Sequence, residues 1–129
     1  MSTQFMMLFR GTHWSKGLSP QEIQNALNRW NEWMAGLVQE GKIKSAHPLI
    51  ARGKIISGKK KRIISDGPFA ESKEAIAGYF LLEVKDLDEA VEIAKEVPTV
   101  EYGVSVEVRP IAPLVPENLE EFEILKHRA

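Results

Sequence analysis

Between Ser19 and Gly41, Ile23, Ala26, Leu27, Trp30, Trp33, Met34, Leu37 and Val38 recur at three- and four-residue spacing. That period predicts one continuous apolar stripe along a helix. The ends agree with it. Ser19 reads as the N-cap, Pro20 as the first helical residue and Glu22 as the capping-box acid, while Gly41 stands where a left-handed C-cap is favoured. A helix that is apolar on one side only must lie against something, and the flanking segments supply it.

Phe5-Met6-Met7-Leu8-Phe9-Arg10 is a short apolar run stopped by Gly11, too brief for a helix and suited to a strand buried on both faces. After the helix, residues 43–50 read as a strand in which Pro48 points to an edge or a bulge. Residues 54–57 and 62–65 flank Gly58-Lys59-Lys60-Lys61 as a hairpin, and 66–76 read as turn and loop. Gly78 to Val84 is the next strand. Asp86 caps a second helix whose stripe is Leu87, Ala90, Val91, Ala94 and Val97, with Asp88 and Glu89 in the first turn where the helix dipole favours acids. Pro98 stops it, and Val104 to Val108 alternates as the last strand. Without the extra hairpin the order is strand–helix–strand–strand–helix–strand. This is the α+β, ferredoxin-like sandwich, with two helices covering one face of an antiparallel sheet. Residues 1–112 form this domain, and 113–129 a tail with a short acidic helix from Glu117 to Lys126.

Composition narrows the function classes. A chain of 129 residues with 43% hydrophobic and 27% charged residues suits one globular domain. A net charge of −1 recruits neither nucleic acid nor an anionic membrane. The absence of cysteine excludes disulfides, thiolate nucleophiles and cysteine-ligated metals. Neither a signal peptide nor an apolar run near the ~18 residues of a membrane span is present, so a cytoplasmic protein is expected. Lys59 to Arg62, with no aromatic residues interleaved, reads as a solvated hairpin tip rather than a nucleic-acid contact. The three histidines lie far apart in sequence, and no glycine-rich phosphate loop occurs, so neither a metal nor a cofactor is expected.

Strand alternation sorts side chains by face. Phe5, Met7, Phe9, Val104, Val106 and Val108 belong under the helices. The open face then carries Met6, Leu8, Arg10, Tyr79, Leu81, Glu83, Ser105, Glu107 and Arg109. That surface is too apolar to leave in water and too charged for a core. Packing two copies face to face resolves both, which predicts a homodimer. His47 falls on one side of its strand with Ile43, Ser45 and Leu49.

The stretch Asp66-Gly67-Pro68-Phe69-Ala70-Glu71-Ser72-Lys73-Glu74, leading into Gly78-Tyr79, is the most specific in the chain. Asp-Gly-Pro favours a turn on its own chemistry. Together with Phe5 to Arg10, Ser19-Pro20 ahead of Trp30 and Trp33, and Val106-Glu107-Val108-Arg109-Pro110, it resembles the DGPF branch of the YCII-related family over roughly residues 4 to 111. The resemblance implies a ferredoxin-like fold dimerising through its sheets into an α+β barrel, with a ligand cleft near the interface. In the wider family a helix histidine and an aspartate before proline form a proposed catalytic dyad. Here those places are taken by Trp30 and Val97, and neither can transfer a proton.

Two function classes follow. One is a small-molecule binding or sensory module, using Arg10 and Arg109 for an anionic group and Tyr79 and Glu107 for polar contacts. The other is a cofactor-independent enzyme doing proton-transfer chemistry on a small organic acid or phenol. Its catalytic candidates are Asp66, a carboxylate at a cavity rim, and His47, whose imidazole can both accept and donate a proton.

Overall fold

The computed structural model describes residues 3–11, 13–61, 63–65, 75–112 and 115–126. Strands β1 (Gln4–Arg10), β2 (Ile43–Pro48), β5 (Ile76–Glu83) and β6 (Ser105–Pro110) form one antiparallel sheet in the order β2-β5-β1-β6. Helices α1 (Pro20–Gln39) and α2 (Leu87–Lys95) occupy the two crossovers. This is the expected α+β, ferredoxin-like arrangement. Strands β3 (Ile55–Ser57) and β4 (Ile63–Ser65) pair with each other as a separate two-stranded sheet inserted between β2 and β5. Helix α3 (Leu119–Lys126) closes the described chain.

The α1 cap forms as the sequence predicts. Ser19 Oγ accepts from the Glu22 amide at 3.1 Å, and the Ser19 amide donates back to the Glu22 carboxylate at 3.0 Å. Asp86 caps α2 in the same manner, accepting from the Glu89 amide at 2.9 Å. Pro98 does end α2, and it also opens a single 3-10 turn, Pro98–Tyr102, closed by left-handed Gly103.

Beneath the helices, Phe5, Met7, Phe9, Phe80, Leu82, Val84 and Val104 from the sheet meet Leu37, Ala90, Ile93 and Val97. Met7 and Leu82 are wholly buried, each contributing about 1.5–3 kcal/mol of apolar burial. Trp33 stacks on Phe80 at 5.5 Å, and Trp30 meets Phe9 edge-on at 5.3 Å. Val97 is a buried core residue, and partly buried Trp30 packs against that core. The apolar stripe of α1 overshoots its contact: Val38 is half exposed.

Alternation sorts β1, β5 and β6 correctly. It fails once, on β2. The register shifts between Ile43 and Ser45, so Ile43 and Ala46 pack on the core while Ser45 and His47 turn to the open face. Ile43 therefore does not share the side of His47 as alternation alone predicts. The extra residue at Lys44 reverses the phase of the strand, and the Lys44 ammonium reaches Glu83 at 3.5 Å. Among the described residues no helix is long and apolar enough to cross a membrane.

Candidate functional site

Backbone pairing aligns the open-face residues in rows. His47, Tyr79, Leu8 and Glu107 stand in one row across β2, β5, β1 and β6, and Ser45, Leu81, Met6 and Arg109 stand in the next. Apolar Leu8, Met6 and Leu81 thus run between a polar group on the β2 edge and a charged group on the β6 edge.

The β2-edge group is a hydrogen-bonded cluster. Tyr79 Oη lies 2.9 Å from Ser45 Oγ and 2.9 Å from His47 Nδ1. Each hydroxyl can donate one proton, so Ser45 donating to Tyr79 and Tyr79 donating to His47 satisfies all three groups and leaves Nε2 carrying the imidazole proton. The reverse polarity, with Nδ1–H donating, is equally balanced. Either way Tyr79 fixes the ring of His47.

The β6-edge group is an ion-paired cluster. Arg10 Nη2 and Nε donate to Glu107 Oε1 at 2.8 and 3.3 Å, and Arg109 Nε lies 3.9 Å from the other carboxylate oxygen. The hydrogen bond from Arg10 holds the Glu107 carboxyl below the ordinary glutamate value of 4.5. Arg10 reaches Glu107 diagonally, its own cross-strand partner being Ser105. Glu107 therefore serves as counter-ion to both arginines, and the Arg109 side chain remains 71% exposed.

A cavity of about 380 Å³ opens on the other side of the sheet, under the middle of α1. Phe9, Phe80, Trp14 and Trp30 give it aromatic walls, and Leu27, Met34 and Val104 complete the apolar lining. Thr99, buried in the 3-10 turn, is a polar residue within it. Its rim is the β2–β5 edge, from His47 and Pro48 across to Ala77, Gly78 and Tyr79. Small residues, Ala26, Ala46 and Gly78, are part of its lining, and Gly78 is fixed as glycine because a Cβ there would stand 2.9 Å from the His47 carbonyl oxygen.

Of the sequence-predicted site residues, His47 and Tyr79 come together, as do Arg10, Glu107 and Arg109. The two groups lie at opposite edges of the sheet. Asp66, with the rest of the motif up to Glu74, lies outside the described residues. Sequence reasoning missed the partnership of Ser45 with Tyr79, although Ser45 and His47 alternate on one strand. It also missed the cavity under α1, which no local pattern in the sequence marks.

The fold and site define a ferredoxin-like α+β domain with an apolar cavity beneath its first helix. The profile of the YCII-related domain matches residues 4–114, and the chain belongs to that family. An uncharacterized protein of Rhizobium meliloti is 41% identical over 58 residues, 44% of this chain and 47% of that protein, so the similarity spans about half of either. Among solved structures, 5-chloro-2-hydroxyhydroquinone dehydrochlorinase from Burkholderia phenoliruptrix, in complex with 2,5-dihydroxybenzoquinone, superposes with a TM-score of 0.47. It has 15% identity, covering 84% of this chain and 93% of that one. An Arabidopsis thaliana protein superposes with a TM-score of 0.33, also at 15% identity, covering 88% and 98%. Neither structural similarity assigns an activity to this chain.

Proposed function

We propose that the chain is a small-molecule binding protein that holds a planar organic ligand, a phenol or aromatic acid, in the cavity under α1. The observation that carries this is the cavity itself. Its volume of about 380 Å³ lies within the ~300–1,000 Å³ range of small-ligand sites, which are mostly apolar with a few placed polar groups. Aromatic walls favour a flat ring by edge and offset contacts. Thr99 within the lining offers a hydrogen bond for its hydroxyl or carboxyl.

This reading moves the ligand away from Arg10, whose guanidinium is engaged by Glu107. The open face, with Met6, Leu8 and Leu81 at its centre, is proposed as the contact of a homodimer in which the Arg10–Glu107–Arg109 cluster sets the register. The test is a thermal-shift and tryptophan-fluorescence screen against phenols and aromatic acids. A ligand at a hundred times its Kd stabilises the fold by about 2.7 kcal/mol. Leu27→Trp, which fills the cavity from a half-exposed position, is expected to abolish the shift. A shift unchanged in Leu27→Trp, or none with any compound, would overturn the proposal.

The 2.9 Å contact between His47 and Tyr79 favours a second reading, cofactor-independent proton transfer with His47 as base and Tyr79 orienting it. Deuterium exchange into enolisable acids and phenols tests it. The exchange should vanish in His47→Asn at unchanged melting temperature, and exchange that persists in that variant sinks the reading.

A further inference from the structure

Two elements of this chain look too small to stand alone, and each has what the other lacks. The first is the β3–β4 hairpin. It is joined to no other strand among the described residues, and an isolated two-stranded hairpin is marginal in water. Ile56 and Ile64 face each other across it, each 62% exposed. Lys59 and Lys60 stand exposed at its tip, and from Lys42 to Ser65 the chain has basic residues but no acidic one.

The second is α3. Asn118 Oδ1 accepts from the Glu121 amide at 2.9 Å, and the Glu121 carboxylate accepts from the Glu117 amide at 3.0 Å, so the helix is well capped. Yet none of its residues is buried. Leu119 and Phe122, one turn apart on the same side, are exposed, as is Ile124. Glu117, Glu120, Glu121 and Glu123 surround them. A helix this short gains most of its stability from packing an apolar side, and here that side is open.

Apolar matches apolar and basic matches acidic, but both surfaces remain uncovered in one chain, so they do not cover each other within it. We propose that α3 of one copy docks on the β3–β4 hairpin of a second copy, with Leu119 and Phe122 against Ile56 and Ile64 and the glutamates around the lysine tip. The contact uses neither the cavity nor the open-face residues named above, and does not rest on the ligand or dimer reading.

The absence of native cysteine makes the test direct. Ile56→Cys and Phe122→Cys chains are mixed and oxidised, and the mixed disulfide is quantified by mass spectrometry. It is expected to form about tenfold faster than one between Phe122→Cys and a control cysteine at exposed Val91. Adding Glu120→Lys and Glu121→Lys to the Phe122→Cys chain should remove that advantage by charge repulsion. Adding Lys59→Glu and Lys60→Glu to its partner should restore it. A mixture no faster than the control overturns the proposal. So does a chain carrying both cysteines that closes its disulfide within the monomer. Capture of the wild-type chain by anionic vesicles, lost on Lys59→Glu and Lys60→Glu with no mixed disulfide formed, would assign the hairpin to a membrane surface instead.

Discussion

Gly78 shows how much one hydrogen atom in place of a methyl can decide. A Cβ at this position would meet the His47 carbonyl oxygen at 2.9 Å and the Pro48 Cα at 3.1 Å, and both obstacles are backbone. Gly78→Ala must therefore push β2 away from β5, at a cost of about 1–3 kcal/mol typical of overpacking. The displaced strand lines the cavity. Urea unfolding should show the loss, and the variant should also lose ligand binding beyond what its stability explains. Much of this residue-scale detail was legible. Alternation along β1, β5 and β6 assigned every open-face residue, since the strand period is two and a face error would expose Met7 or Leu82. Ser45 and His47 were harder. Nothing in Ile43-Lys44-Ser45 announces a bulge, because a register shift is set by what the neighbouring strand demands and leaves no mark in local composition.

The elements owe their positions to their ends as much as to their faces. At the start of α1 the reciprocal bonds of Ser19 and Glu22 satisfy backbone donors that the helix cannot. Ser19→Ala should cost about 1 kcal/mol, seen as a lower thermal midpoint. This cap was readable from Ser-Pro-Gln-Glu because capping is local chemistry. The cavity below was not. Its volume depends on how far α1 stands off the sheet, and that distance follows from the edge contact of Trp30 with Phe9 and the stacking of Trp33 on Phe80, which no local pattern encodes. The same contacts explain why Trp30 cannot be exchanged for a proton carrier without cost to the core.

Across the whole molecule, one cap carboxylate, Glu22, and three that tie distant segments together, Glu89, Glu101 and Glu107, are held by hydrogen bonds. Hydrogen bonds hold each below the ordinary value of 4.5. The Ser19 amide acts on Glu22, the Lys85 amide and then Lys42 on Glu89, Arg29 on Glu101, and Arg10 on Glu107. Because the folded values are depressed, these groups add stability above about pH 4.5 and lose that contribution as the pH falls through their folded values. Urea midpoints should be flat above about pH 5.5 and fall below 4.5, and Glu107→Gln should soften the fall. If the open faces pair as proposed, sedimentation should give twice the 14.5 kDa chain mass, and Leu8→Glu, placing a charge at the centre of the contact, should give monomer. The ferredoxin-like order was readable from the succession of elements, whereas the association could only be argued from what the open face leaves unsatisfied.

The hairpin inserted between β2 and β5 has a consequence for how quickly this chain finds its fold. In the simplest version of the fold those two strands would be joined by a tight turn and could zip together early. Here everything from Leu49 to Ala75 separates them, and closing a connection of that length, rather than a turn of about four residues, costs on the order of 1.5–2 kcal/mol of chain entropy. Its weight falls on the kinetics, since the pairing of β2 with β5 becomes a long-range event that local structure cannot nucleate. The edge that brings His47 to Tyr79 is then expected to be among the last parts of the sheet to form, after β1, β5 and β6 have assembled around Met7.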